Sequence, residues 1–412
     1  MFILVLYKQI EGGKIMTFSK RIQAMQASPI RKLVPYADEA RSMGIKVYPL
    51  NIGQPDIKTP KEYFKAVCNF NSDVLSYANS HGIPELLEAF SEYYKKHKID
   101  FNKEDMIITN GGSEALLFSF IALCDQGDEI LIPEPFYTNY NGFAQMVGVK
   151  VVPITTKAEN GFKLPEKEEI LKLITPKTKG FLFSNPGNPT GKVLFKEEIQ
   201  LIKEIALEKN LYVISDEVYK EFVYDGLEFS SFAHQVEIMD KVIIVDSISK
   251  RYSACGARIG CIASKNKDLM AQVMKLAQGR LSISTLDQVG AASLNKVPDS
   301  YMEEVKKEYT QRRDVVFNAL QEMDGVICKK PSGAFYVIAK LPVKNAEDYV
   351  KWLLSDFSID NETVLLTPAE NFYATPGLGR DEVRISYCLN INALTKAMNI
   401  VKESLKVYPD RV

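Results

Sequence analysis

Seven short β-rich runs, at residues 106–109, 129–132, 149–154, 180–184, 211–215, 242–246 and 260–264, punctuate the middle of this chain. Helical stretches stand among them at 113–123, 196–208 and 267–278. Runs that are apolar almost throughout make strands buried on both faces. Such strands, alternating with helices, specify a largely parallel sheet inside an α/β layer. In an open sheet of that kind a ligand sits at the carboxyl ends of the strands, so the residues that follow each run are the ones to search for chemistry.

Beyond about residue 300 the texture changes. A charged helix over 301–323 precedes extended runs at 333–339, 364–368 and 382–388 and a last amphipathic helix, with loops rather than regular crossovers between them. That pattern reads as a smaller α+β domain. An early extended segment, 47–53, either joins it or crosses between the two parts.

A chain of 412 residues has room for two or three cores. Its net charge of -1 gives no argument for nucleic acid or for an anionic membrane surface. Six cysteines without C-x-x-C pairs and three scattered histidines speak against a metal site, a disulfide framework or a histidine triad, and fit a reducing cytoplasm. The apolar start, M-F-I-L-V-L-Y, is too short to span a bilayer and lacks the features of a secretory signal. Met16 is a more natural beginning, so residues 1–15 are expected to be either an artefact of an upstream start or a disordered lead.

Four motifs follow strands and carry chemistry. Asn110-Gly111-Gly112-Ser113-Glu114 joins a strand to a helix; its glycines turn tightly and the helix start offers N–H groups to a phosphate, unless Ser113 is simply an N-cap. The loop Ser184-Asn185-Pro186-Gly187-Asn188-Pro189-Thr190-Gly191 is stiff enough to present Asn188 to a ligand. Asp216, in Ser215-Asp216-Glu217-Val218-Tyr219, ends a buried strand where an unpaired carboxylate is costly; a protonated ring nitrogen would suit it, and capping a helix is the plainer alternative. Lys250, in S-I-S-K-R-Y-S-A-C-G-A-R-I-G, has Arg251 and Arg258 close in sequence; a desolvated lysine crowded by cations gives up its proton more readily and becomes a nucleophile toward aldehydes. Farther on, Arg384 alternates with Val383 and Ile385 on a strand, as a carboxylate-binding guanidinium or as an edge-strand surface residue.

Together, N-P-G-N-P-T-G, S-D-E-V-Y and S-I-S-K with R-I-G after seven intervening residues make the chain resemble the class I and II aminotransferases, pyridoxal-phosphate enzymes of fold type I, from about Tyr48 to the C-terminus. The resemblance implies a large domain (61–309) with a mostly parallel seven-stranded sheet between helices. It also implies a smaller α+β domain built from 16–60 and 310–412. By resemblance Lys250 carries the cofactor through its amine and moves the proton. Asp216 pairs with the ring nitrogen, Tyr219 and Asn188 contact the 3′ oxygen, and Tyr137 stacks on the ring. Gly112, Ser113, Ser247, Ser249 and Arg258 hold the phosphate. Arg384, with Gly53 beside it and Asn188 near, holds the substrate α-carboxylate. Tyr77, in L-S-Y-A-N, matches a tyrosine that reaches the phosphate of the neighbouring subunit, which implies a homodimer with shared sites.

Register with an arginine of classical aspartate aminotransferases gives Arg280 the distal carboxylate of a dicarboxylic substrate across the dimer; a helix-end arginine complementing the dipole is its ordinary reading. The resulting expectation is transfer of an amino group from aspartate to 2-oxoglutarate. Aromatic, alanine or broad specificity and a β-lyase on the same fold remain alternatives. A ligand-sensing domain attached to a DNA-binding module is disfavoured by the short, weakly basic segment upstream.

Overall fold

The computed structural model describes residues 18–26 and 28–412, so the expectation for residues 1–15 lies outside it. Twelve strands are formed by the described residues: β1 (Lys46–Pro49), β2 (Met106–Asn110), β3 (Glu129–Glu134), β4 (Lys150–Thr155), β5 (Thr178–Ser184), β6 (Tyr212–Asp216), β7 (Val242–Ser247), β8 (Ile259–Ala263), β9 (Tyr336–Lys340), β10 (Glu362–Leu365), β11 (Thr367–Pro368) and β12 (Glu382–Ser386). Seven of them build one sheet in the order β2-β8-β7-β6-β5-β3-β4. β8 runs antiparallel to both neighbours, and the other pairings are parallel.

Each apolar run expected from the sequence is a strand of this sheet. Successive residues explain why they had to be apolar. Ile107, Leu182, Ile214, Ile243 and Ile262 enter one core, while their neighbours Ile108, Phe181, Val213, Ile244 and Cys261 enter the other. Each such side chain taken out of water contributes roughly 1.5–3 kcal/mol, so a polar residue on either face would be expensive. Helices Gly111–Leu123 and Lys267–Arg280 cover the first face, and Pro84–Lys96 and Lys196–Lys209 the second.

A third core joins β1, β9, β10 and β12 to the long helix Asp299–Gln321 and the final helix Ile391–Val407. β9, β12 and β11 form an antiparallel sheet with β12 in the middle. β1 pairs in parallel with β10, which places the early extended segment with the C-terminal elements. Arg384 therefore lies on a central strand, not an edge, and its side chain is fully buried.

Two extended runs differ from expectation. The stretch 333–339 becomes a strand only at Tyr336, because Ala334 takes a left-handed φ of 54° that breaks extension. The run 364–368 divides at Leu366, its first part pairing with β1 and its second with β12. No helix among the described residues is long and apolar enough to cross a membrane.

Candidate active site

The carboxyl ends of β2, β5, β6 and β7 open onto one cavity of about 470 Å³. Its wall includes Gly53, Gly112, Ser113, Tyr137, Asn188, Asp216, Tyr219, Ser247, Ser249, Lys250, Arg258 and Arg384. Twelve of the fourteen sequence candidates are thus brought together; Tyr77 and Arg280 are not. A second cavity, of about 400 Å³, is lined by Phe90, Tyr93, His97, Glu221 and Arg251 among others. No sequence candidate enters it, and its charged groups pair with one another or with Asp246.

At the end of β2 the chain turns through Gly111, at φ 66°, into the helix Gly111–Leu123, whose start has no side-chain cap. The first N–H groups of a helix have no partner within it, and here Gly112 and Ser113 bring theirs to the cavity. Ser113 lies inside the helix, which removes its plainer reading as an N-cap. Arg258, itself left-handed at φ 54°, folds its guanidinium back to donate to Asn110 O and Cys255 O. A Cβ on Gly111 would stand 2.4 Å from that guanidinium. The helix start and the arginine thus make one cradle for an anion.

Lys250 projects from the short helix Ile248–Arg251 and donates from Nζ to Gly53 O at 3.0 Å, with Cys255 Sγ 3.8 Å away. Arg251 does not crowd it. That guanidinium turns to Asp246, 2.7 Å away, which also binds Lys220 at 3.0 Å in a cluster closed to water. Of the two cations expected to press on Lys250, Arg251 is thus neutralised within the protein, and Arg258 shares the cavity wall with the amine.

Asp216 is buried, and burial lifts its carboxyl to about 6 despite a hydrogen bond from Tyr140 at 2.8 Å. Tyr140 was not foreseen; it stands one helical turn beyond Tyr137, and only its distant partner reveals it. Tyr219 meets Tyr336 hydroxyl to hydroxyl at 3.0 Å. Burial raises the Tyr219 phenol well above its ordinary range.

Arg384 donates to Asn188 Oδ1 at 3.1 Å and to Asn51 O, lies 4.7 Å above the Tyr336 ring, and leaves a buried Nε with no partner. Burial opposes its charge, which an incoming carboxylate would offset. Asn51 and Tyr336 also escaped the sequence reading, since each acts through a residue far away along the chain.

Arg280 is turned into its own chain. One nitrogen donates to Ser80 O at 3.1 Å and Ile108 O at 3.2 Å, and another lies 3.4 Å from Glu114. Within this chain the guanidinium is therefore held outside the cavity. Tyr77 is 84% exposed, next to exposed Val74 and Leu75. Arg31, unforeseen, completes the wall: Arg31, Lys250, Arg258 and Arg384 face a single carboxylate, Asp216, among the described residues.

The sequence profile described as aminotransferase class I and II matches residues 45–401. This chain belongs to that family. Among similar proteins, a probable aspartate/prephenate aminotransferase of Aquifex aeolicus is 30% identical over 94% of this chain and 98% of its own. An aspartate aminotransferase of Pyrococcus horikoshii is 32% identical over 94% and 97%. An aromatic-amino-acid aminotransferase of Thermococcus litoralis is 33% identical over 95% and 99%. The solved aspartate aminotransferase of Thermotoga maritima superposes with a TM-score of 0.86 at 30% identity, covering 94% of this chain and all of that one.

The aminotransferase is thus a pyridoxal-phosphate enzyme of fold type I that moves an amino group between amino and oxo acids. Its cavity fits that cofactor: an uncapped helix start with an arginine for the phosphate, and a buried carboxylate whose charge calls for a cationic nitrogen. The Lys250 amine lines the same cavity.

Proposed function

We propose that this aminotransferase takes the amino group of aspartate and delivers it to an oxo acid such as 2-oxoglutarate, both half-reactions using the one cavity in turn. The observation that carries the acidic preference is the charge of the wall, four cationic side chains against one carboxylate. With Arg258 given to the phosphate and Lys250 to the cofactor, Arg384 and Arg31 remain for the substrate; a dicarboxylate brings a counter-charge for each, and a monocarboxylate leaves one unanswered. The aspartate-named relatives support the same reading.

Bound pyridoxal phosphate supplies an aldehyde and a ring that draws electrons from the substrate Cα. The chain's own residues do the rest. Gly112 and Ser113 would offer N–H groups to the phosphate, with Arg258, Ser247 and Ser249 around it. Asp216 would keep the ring nitrogen protonated and gain there a positive neighbour. Asn188 and Tyr219 would donate to the 3′ oxygen, with Tyr137 beside the ring.

Arg384 holds the α-carboxylate with Gly53 beside it, which points Cα–H toward Lys250. The Lys250 amine would be the nucleophile that holds the cofactor. Released from it, the same amine would be the base that takes the proton from the substrate Cα and gives it back. Gly53 O, 3.0 Å from Nζ, aims the amine.

The assembly we propose is a homodimer of two-domain subunits, divided as 16–60 with 310–412 and 61–309, working in the cytoplasm. Exposed Tyr77, Val74 and Leu75 support burial against a second copy; pairing of β1 with β10 supports the division. Free cysteines in every described position support a reducing compartment.

A half-reaction panel tests the function: the holoenzyme is mixed with single amino acids and the shift of the cofactor absorbance is timed. Aspartate and glutamate are expected to react fastest. Faster reaction with alanine or an aromatic amino acid would overturn the acidic preference, and release of the side chain as a separate product would mark a β-lyase.

A further inference from the structure

We infer that Arg31 is the side chain that binds the distal carboxylate of the substrate, a role that sequence register alone assigns to Arg280. The inference rests on the acidic-substrate reading above and names the residue responsible for it.

The other cations of the cavity are engaged. Arg258 closes on Asn110 O and Cys255 O beside the helix start. Arg384 is fixed by Asn188 and Asn51, and Lys250 sits on Gly53 O. Arg280 does not line the cavity at all and is held by Ser80 O, Ile108 O and Glu114. Arg31 lines the cavity, and its guanidinium makes no ion pair or hydrogen bond with any described residue. It is the one arginine of the wall whose guanidinium makes no hydrogen bond or ion pair, among the described residues.

Its backbone, by contrast, is fixed. Arg31 N donates to Ser28 O at 3.2 Å, and Val34 N donates to Arg31 O at 3.1 Å at the entry to the helix Val34–Ser42. Asn51 ties this turn to the α-carboxylate site: its side-chain amide donates to Ile30 O at 3.1 Å, while its carbonyl accepts from Arg384. One asparagine thus sets the separation between the two guanidinium-bearing segments. A substrate anchored by its α-carboxylate at Arg384, with Cα toward Lys250, has its side chain left to meet the remaining wall, where Arg31 stands. A guanidinium suits that task because it presents paired donors to a carboxylate.

The experiment compares wild type, Arg31→Gln, Arg31→Lys and Arg280→Gln holoenzymes with aspartate, glutamate, alanine and phenylalanine. It also measures calorimetric binding of succinate against butyrate, which needs no turnover. Loss of one charge-assisted contact predicts a fall of about 10- to 100-fold in kcat/KM for aspartate in Arg31→Gln. Weaker succinate binding, an unchanged alanine rate, partial recovery in Arg31→Lys and an unaltered aspartate-to-alanine ratio in Arg280→Gln complete the expectation. Equal losses for aspartate and alanine, or no loss in Arg31→Gln while wild type prefers aspartate, would overturn the role of Arg31 alone. Absence of an acidic preference in wild type would instead overturn the reading on which it rests.

Discussion

Replacing Asp216 by asparagine is expected to disable the enzyme and yet stabilise the protein when the cofactor is absent. Burial holds the carboxyl at about 6 in the fold, against 3.8 for a free carboxyl. As pH rises, the unfolded chain surrenders this proton first and the folded chain last. Stability therefore drains away through that window and stays lower above it. The full deficit is about 3 kcal/mol, with roughly half of it present near pH 5. An asparagine of the same shape does not titrate.

The margin of Asp216→Asn over wild type should accordingly widen by about 1.5 kcal/mol between pH 5 and pH 8. Any fixed difference in packing cancels from that comparison. Urea unfolding of both cofactor-free proteins at the two pH values measures it, read from midpoints at equal slope. Added pyridoxal phosphate should then restore wild type at pH 8 more than the variant, because only the carboxylate gains a cationic partner. A margin that stays constant or narrows with pH would refute the claim that burial governs this charge.

Asp246→Ala strands Lys220 and Arg251 as uncompensated buried cations; a loss of about 3–5 kcal/mol is expected, visible as a lower thermal midpoint, and an unchanged midpoint would contradict the cluster's role. Arg384→Gln should raise KM for acidic and neutral amino acids alike and lower kcat/KM by about 10- to 100-fold, with Arg384→Lys recovering little because two parallel bonds are lost; steady-state kinetics on aspartate and alanine decide it. Gly53→Ala would put a Cβ 1.7 Å from the Tyr336 hydroxyl. That tyrosine must then leave Tyr219, so KM is expected to rise; unaltered kinetics would show that the contact relaxes freely.

The sheet was legible because both its faces are buried: Ile107 and Ile108, or Ile243 and Ile244, must each satisfy a different core. The direction of β8 was not read from apolarity, although the brief link from Ser247 to Ile259 leaves no room for a parallel crossover. In the cavity, residues in contiguous motifs were found and those recruited singly were missed. Tyr140 matters through Asp216, 76 positions away, and Asn51 through Arg384, 333 positions away. Arg251 misled because charge was counted along the sequence, while in space its counter-ion is Asp246. Register is silent in the same way about Arg280: it does not show that Glu114 and two carbonyls lie against that guanidinium within the chain.

The reversed course of β8 has a consequence for tolerance to change. Ser247 faces Gly260 across the β7–β8 ladder, and Ser247 Oγ donates to Ile259 O at 2.9 Å. Lys250 and Arg258 consequently ride on a single closed loop buttoned at its base. Substitutions that bend or shift the rest of the sheet move the amine and the guanidinium as one piece, whereas adding or deleting a residue within the loop alters their spacing directly. Sequence drift elsewhere in the large sheet is cheap for the chemistry, and a change of loop length is not.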